Sequence, residues 1–295
     1  MPARAAYRAL EAIRPRLPAV RNQPDHYERV PNLLALAERF DVFCFDAFGV
    51  LNVGQTAIPN AIATVAELRR RGKRLFVVSN ASAVARPGLV ERYRRLGYDF
   101  TLEEIVSSRD ALLANFSPDP AKTYGLIGLR EGQEDLAGLR LVYQDEADFY
   151  ARADEILFLS SLNWDDHRQE RFLAEMAARP RPVYLGNPDL IAPQGAATSI
   201  EAGTYVLLPE ALQPLVRVYG KPWPAIFAEM ARRLDRFNPA RTLMLGDTLH
   251  TDILGANHFG IGSALVSDWG FFKGLDWAAA IADSGIVPHY VLPAL

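Results

Sequence analysis

The chain has 295 residues, 49% of them hydrophobic, with a net charge of −3 and a pI near 6.0, enough apolar material for two packed units or one with a large insertion. The charge balance gives no electrostatic basis for nucleic acid or an anionic membrane surface as partner, and the single cysteine, Cys44, excludes an internal disulfide framework. No apolar run approaches a membrane span and the N-terminus lacks the apolar stretch of a secretory signal, so the expected compartment is the cytoplasm.

Residues 5–16 read as a short helix, broken by Pro15, Pro18 and Pro24, and residues 1–30 as an N-terminal arm on the main body. Helical spacing over 31–40 leads into a first apolar run at 42–45. Further runs follow at 75–78, 156–159, 183–185, 204–208, 215–219, 242–245, 264–266 and 290–292. Helical segments fit between them at 60–72, 86–96, 165–178, 223–235 and 252–259. Short buried strands alternating with amphipathic helices predict an α/β protein built on a Rossmann-like, mostly parallel sheet. Pro118 and Pro120, then Pro209 and Pro214, punctuate the chain. They predict a core over 31–117 and 213–295, with a second α/β unit inserted over 118–212.

Ligands collect beyond the carboxyl ends of strands in such sheets. Four predicted strands end in polar groups: Asp46, Ser79-Asn80, Gly220-Lys221-Pro222, and Gly246-Asp247-Thr248 with Asp252 five residues after Asp247. Singly, each has a plain reading as a helix N-cap, turn chemistry or a solvated lysine. Jointly, at the ends of four strands of one sheet, they make chemical sense. A carboxylate can attack phosphorus in line, paired carboxylates can hold Mg²⁺, and a lysine and a hydroxyl can neutralise and hold phosphoryl oxygens. Cys44, inside an apolar strand, reads as a small buried hydrophobe. Gly125-x-x-Gly128 and Gly260-x-Gly262 are too short for a dinucleotide fingerprint and read as turns. Trp164-Asp165-Asp166-His167 reads as a helix start capped by Asp165.

The order Asp46, Ser79, Lys221, Gly246-Asp247-(four residues)-Asp252 resembles the four motifs of the haloacid dehalogenase (HAD) superfamily. Gly49-Val50-Leu51-Asn52-Val53-Gly54, Val77-Val78-Ser79-Asn80-Ala81-Ser82, Asn187-Pro188-Asp189 and Tyr219-Gly220-Lys221-Pro222 are similar to its class IIA, NagD-like phosphatases. The resemblance implies a HAD core with an inserted C2-type cap, in a Mg²⁺-dependent phosphohydrolase acting on a small phosphorylated metabolite of the sugar phosphate or nucleotide class. It implies Asp46 as the nucleophile that forms an aspartyl-phosphate. Mg²⁺ would sit on Asp46, Asp247 and the backbone carbonyl of Phe48. Asp252 would orient Lys221 or a metal-bound water, and Ser79, Asn80 and Lys221 would hold phosphate. Asn187, Asp189 and Trp164 are candidates for the substrate side of the cap. Family members often dimerise through the cap, which leaves a homodimer open.

One position departs from the pattern. Phosphatases of this family carry Asp two residues beyond the nucleophile, for general acid–base work typically worth about 10²–10⁴-fold. Here that position is Phe48. His250, Asp189 and His167 are candidate substitutes. Alternative readings are a catalytically weakened phosphate binder or phosphotransferase, and a haloacid dehalogenase-like enzyme, where an aromatic residue at this position is familiar. The paired acids Asp247 and Asp252 argue against the dehalogenase. Phosphonate hydrolysis is weaker still, since the only lysine near the insertion is Lys122.

Overall fold

Short apolar strands, buried on both faces, organise the protein. The computed structural model describes residues 1–194 and 197–295. Val42–Phe45 and Thr242–Gly246 are buried along their whole length, as parallel strands covered on both faces must be. Phe43 and Phe45 join one core cluster with Leu68, Leu89 and Tyr93, while Val42 and Cys44 join another with Ile226, Phe227 and Met230. Burial pushes the Cys44 thiol up and leaves it a packing group.

Among the described residues one sheet has seven strands, all parallel. Their order is Glu28–Arg29, Tyr290–Leu292, Gly262–Val266, Thr242–Gly246, Val42–Phe45, Arg74–Ser79 and Ile105–Ser107. From Val42–Phe45 the chain moves outward one way, and from Thr242–Gly246 it moves outward the other way. Such a reversal opens a crevice at the carboxyl ends of the two central strands. Asp46 and Asp247 are the residues that follow those strands.

A second sheet has five parallel strands among the described residues: Val216–Val218, Val183–Leu185, Glu155–Phe158, Tyr124–Ile127 and Leu141–Tyr143. Its own core gathers Phe158, Phe172, Met176 and Val206. The strand before Lys221 therefore belongs to this sheet, not to the main one as the alternating pattern implied. Val216 and Val218 pair with Val183 and Leu185, and the chain returns to the main sheet only through the helix Pro224–Arg232.

Other local expectations also shift. Residues 204–208, expected as a strand, lie in the helix Ala202–Leu207 and the residue after it, because Val206 packs inward on the second sheet. Residues 31–40 shrink to a 3₁₀ turn, Leu33–Leu36, capped by Asn32. Gly125 is not in a turn but inside a strand, where a Cβ would meet Ala153, Ile156 and Phe149 at 2.8–2.9 Å. The N-terminal helix, Ala3–Ala12, buries Ala6 and Leu10 against Leu249, Ile253, Phe271 and Phe272 of the main body and Leu190 and Ile191 of the segment after Val183–Leu185. No described helix is long and apolar enough to cross a membrane.

Candidate active site

Lys221 is the centre of the site. It is 1% exposed, and its ammonium donates to Asp46 Oδ1 at 2.6 Å and to Asp252 Oδ1 at 2.7 Å. Burial alone would push this ammonium down, but Asp252, Asp46 and Asp189 outweigh it and hold Lys221 above its usual range. Asn80, at the end of the main-sheet strand Arg74–Ser79, fixes the lysine backbone: its Oδ1 accepts from Lys221 N at 2.7 Å and its Nδ2 donates to Lys221 O at 3.1 Å. The same Nδ2 donates to Asp189 Oδ1 at 2.8 Å. Asn80, expected on phosphate, thus has its amide engaged in positioning Lys221 and Asp189. Ser79, 3% exposed, does line the cavity.

Asp247 is held from two sides, by the Thr248 hydroxyl at 2.8 Å and by Phe271 N at 2.7 Å. The approach is close enough to require glycine twice. A Cβ at Gly270 would lie 1.9 Å from Asp247 Oδ2, and one at Gly49, where φ is +78°, would lie 2.2 Å from it. Burial, then Asp46 and Asp252, raises the Asp247 carboxyl well above its ordinary value. Asp252 sits on a π-helical turn, Leu249–Ile253, which swings it back over Gly246 so that it reaches Lys221. Burial raises Asp252 as well, against the pull of Lys221.

Asp46, Asp247 and Asp252 offer oxygens within 4.8 Å of one another. Three carboxylates face one ammonium, a surplus of negative charge that a divalent cation with oxygen ligands would neutralise. The turn after Asp46 suits this. Its backbone bonds run from Asn52 N to Ala47 O and from Gly49 N to Asn52 O, leaving the Phe48 carbonyl outside the pair. The carboxylates of Asp46, Asp247 and Asp252 fit a cation with oxygen ligands. The Phe48 ring is half-buried and packs under the Arg92 guanidinium, 4.6 Å from its centroid.

Asp46, Phe48, Ser79, Asn187, Asp189, Lys221 and Asp247 line one cavity of about 60 Å³, room for a phosphoryl group and few atoms more. Asp165 caps the helix Asp166–Ala178 as the sequence predicts. Trp164, expected on the substrate side, is instead buried between Phe158 and Phe172, its indole N–H donated to Gln169. His250 is buried against Glu11 of the N-terminal helix, and His167 is exposed on the helix Asp166–Ala178. Leu10, Glu201 and Thr251 also line the cavity. Thr251 lies inside the Asp247–Asp252 segment that the sequence already marks, whereas nothing in their sequence surroundings marks Leu10 and Glu201, which long-range packing brings in.

Asp189 carries a pH signature. Withdrawal from bulk water, opposed by Lys221 and reinforced by Asp46, raises its carboxyl from 3.8 to about 8. Between those values the folded state keeps a proton that the unfolded chain has released, so this group's contribution to stability falls as pH rises through that window. Asp247 acts in the same direction. The metal-free protein should therefore have a higher thermal midpoint near about pH 5 than near about pH 8, and Mg²⁺ should narrow the gap. Differential scanning fluorimetry across that range checks this; a metal-free midpoint that rises with pH contradicts it.

Residues 43–140 match the family model of the haloacid dehalogenase-like hydrolases, and residues 218–295 match a second, HAD-hydrolase-like model. The chain is 32% identical to chronophin of Homo sapiens over 272 residues, covering 85% of this chain and 89% of that protein. It is 29% identical over 286 residues to glycerol-3-phosphate phosphatase of Gallus gallus, covering 88% and 91%. Its fold matches, at a TM-score of 0.67 and 24% identity, the glycerol phosphate phosphatase of Mycobacterium tuberculosis solved in complex with magnesium, covering 87% of this chain and 75% of that one. The chain belongs to the haloacid dehalogenase-like hydrolases, in class IIA of that superfamily.

Proposed function

We propose that this protein is a Mg²⁺-dependent phosphohydrolase for a small phosphorylated metabolite and that Asp46 is its nucleophile. One observation carries the reading: a buried lysine clamped between Asp46 and Asp252, with Asp247 completing the carboxylate cluster at the sheet's reversal point. Asp46 attacks phosphorus, while Lys221 and the Ser79 hydroxyl hold the phosphoryl oxygens and Asp252 keeps the ammonium aimed. A cation on Asp46, Asp247 and the Phe48 carbonyl, when bound, supplies positive charge to the transferring group. The family relatives named for phosphatase activity on glycerol phosphate, and the magnesium complex among them, support both the substrate class and the metal. Asp247 and Asp252 favour this chemistry over halide displacement, which needs no metal cluster.

We read residues 1–30 as an arm and the second sheet as an inserted cap over about 118–218, since Val216–Val218 pairs there. Movement of this cap against the main sheet would admit the rest of a substrate that the small cavity excludes. Phe48, packed under Arg92, is the observation that favours the second reading, a protein whose aspartyl-phosphate persists or passes to another acceptor.

p-Nitrophenyl phosphate with and without Mg²⁺ separates these. Metal-dependent nitrophenol release is expected, with borohydride reduction of the phosphoenzyme converting Asp46 to homoserine and releasing the phosphate. Stoichiometric trapping without turnover supports the second reading. Halide release from a 2-haloacid without metal overturns both.

A further inference from the structure

Phe48 leaves the family's proton-transfer position without a titratable group, so a proton must come from elsewhere in the cavity. Four carboxylates line it: Asp46, Asp247, Asp189 and Glu201. Asp46 and Asp247 already have roles. Glu201 is tied at both oxygens, by the Asn187 amide at 2.9 Å and by the Ser199 hydroxyl. Asp189 accepts from Asn80 at one oxygen, and its other oxygen takes no hydrogen bond among the described residues. His250 is held by Glu11 and does not line the cavity, nor does the exposed His167.

The backbone around Asp189 is pinned. Asp189 N donates to Asn187 Oδ1 at 3.0 Å, and its carbonyl accepts from Gly203 N at 3.0 Å, where a Cβ on Gly203 would lie 2.5 Å from that oxygen. Asn80 then couples the aspartate to Lys221, so the carboxyl enters from the second-sheet side in fixed relation to the clamp. The charged groups acting on it are Lys221, Asp46 and Asp252 from the main-body loops, with Glu201 beyond Asn187 on its own side.

We propose that Asp189 is the general acid–base residue of this enzyme, doing from the second sheet what the position of Phe48 does in its relatives. This rests on the phosphohydrolase reading above. In the first step Asp46 forms a bond to phosphorus, the phosphorus–leaving-oxygen bond breaks, and the carboxylic acid of Asp189 gives its proton to that oxygen. In the second step the Asp189 carboxylate takes a proton from water as the water oxygen bonds to phosphorus. The phosphorus–Asp46 bond then breaks, inorganic phosphate leaves, and both side chains return to their starting states. A carboxyl raised to about 8 holds the proton this cycle needs at neutral pH.

The test compares wild type with Asp189→Asn, which keeps the Asn80 contact, on glycerol phosphate and on p-nitrophenyl phosphate with Mg²⁺. The alkoxide leaving group needs a proton and nitrophenolate does not. The variant should lose about 10²-fold or more in kcat/KM on glycerol phosphate. It should keep the pre-steady-state nitrophenol burst, and the alkaline limb of its kcat/KM profile should disappear. Equal losses on the two esters, or an unmoved limb, overturn the assignment. Should the variant fail to fold, wild type alone decides: a shallow dependence of the burst rate on leaving-group basicity supports Asp189, and a steep one overturns it. Absence of Asp46-dependent turnover in wild type on either ester would instead bring down the phosphohydrolase reading, and this role with it.

Discussion

Asp46→Asn is expected to lower turnover of any phosphate monoester by about 10⁴-fold or more, the scale on which removal of a nucleophile stops covalent catalysis. The amide is isosteric but cannot form the acyl phosphate, and it weakens the contact with Lys221, now 2.6 Å from Oδ1. Stability should move the other way. Asp46 is one of three carboxylates facing one buried ammonium. Neutralising it removes repulsion on Asp247 and Asp252, so the metal-free variant should melt at or above wild type, as expected where function holds like charges together. A stopped assay with trapped phosphoenzyme, read beside a melting curve, checks both. Retention of more than about one-tenth of the wild-type rate would exclude Asp46 as nucleophile.

How much of this was legible beforehand differs by feature. Asp46, Ser79 and Asp247 each follow a short apolar run, and strand ends in α/β sheets collect ligands, so their convergence could be read from spacing. The pattern points to Lys221 for a partly mistaken reason. The run before it is a strand, but of the second sheet, and pattern alone does not say which sheet a strand joins. Trp164, a candidate for the substrate side of the cap, is claimed for the core by Phe158 and Phe172, a choice that pattern alone does not show. The family resemblance implies Asn80 on phosphate; strand geometry instead turns its amide to Lys221 and Asp189. Leu10 could not be anticipated, because only the packing of the N-terminal helix on Leu190 and Ile191 carries it to the cavity.

Lys221→Met should be costly in both currencies, activity and stability, and the pH dependence of the stability loss identifies its cause. The methionine fills similar volume but leaves Asp46 and Asp252 without the ammonium that now lies 2.6 and 2.7 Å from them. Breaking a buried ion pair by removing one partner costs about 3–5 kcal/mol, or roughly 6–20 °C in melting temperature at about 2–4 °C per kcal/mol. The stranded carboxylates can escape part of this cost by binding protons. The deficit relative to wild type should therefore be largest at alkaline pH and shrink toward about pH 5. A packing defect would show the same deficit throughout. Turnover should fall by about 10²–10³-fold, the range for removing one preorganised donor from a developing charge. Lys221→Arg should not rescue it, because a planar guanidinium cannot occupy a site 1% exposed and closed on two sides by Asp46 and Asp252. Full activity in the arginine variant would mean that positive charge alone suffices, and that the clamp geometry between the two aspartates is not what aims the cation at phosphate.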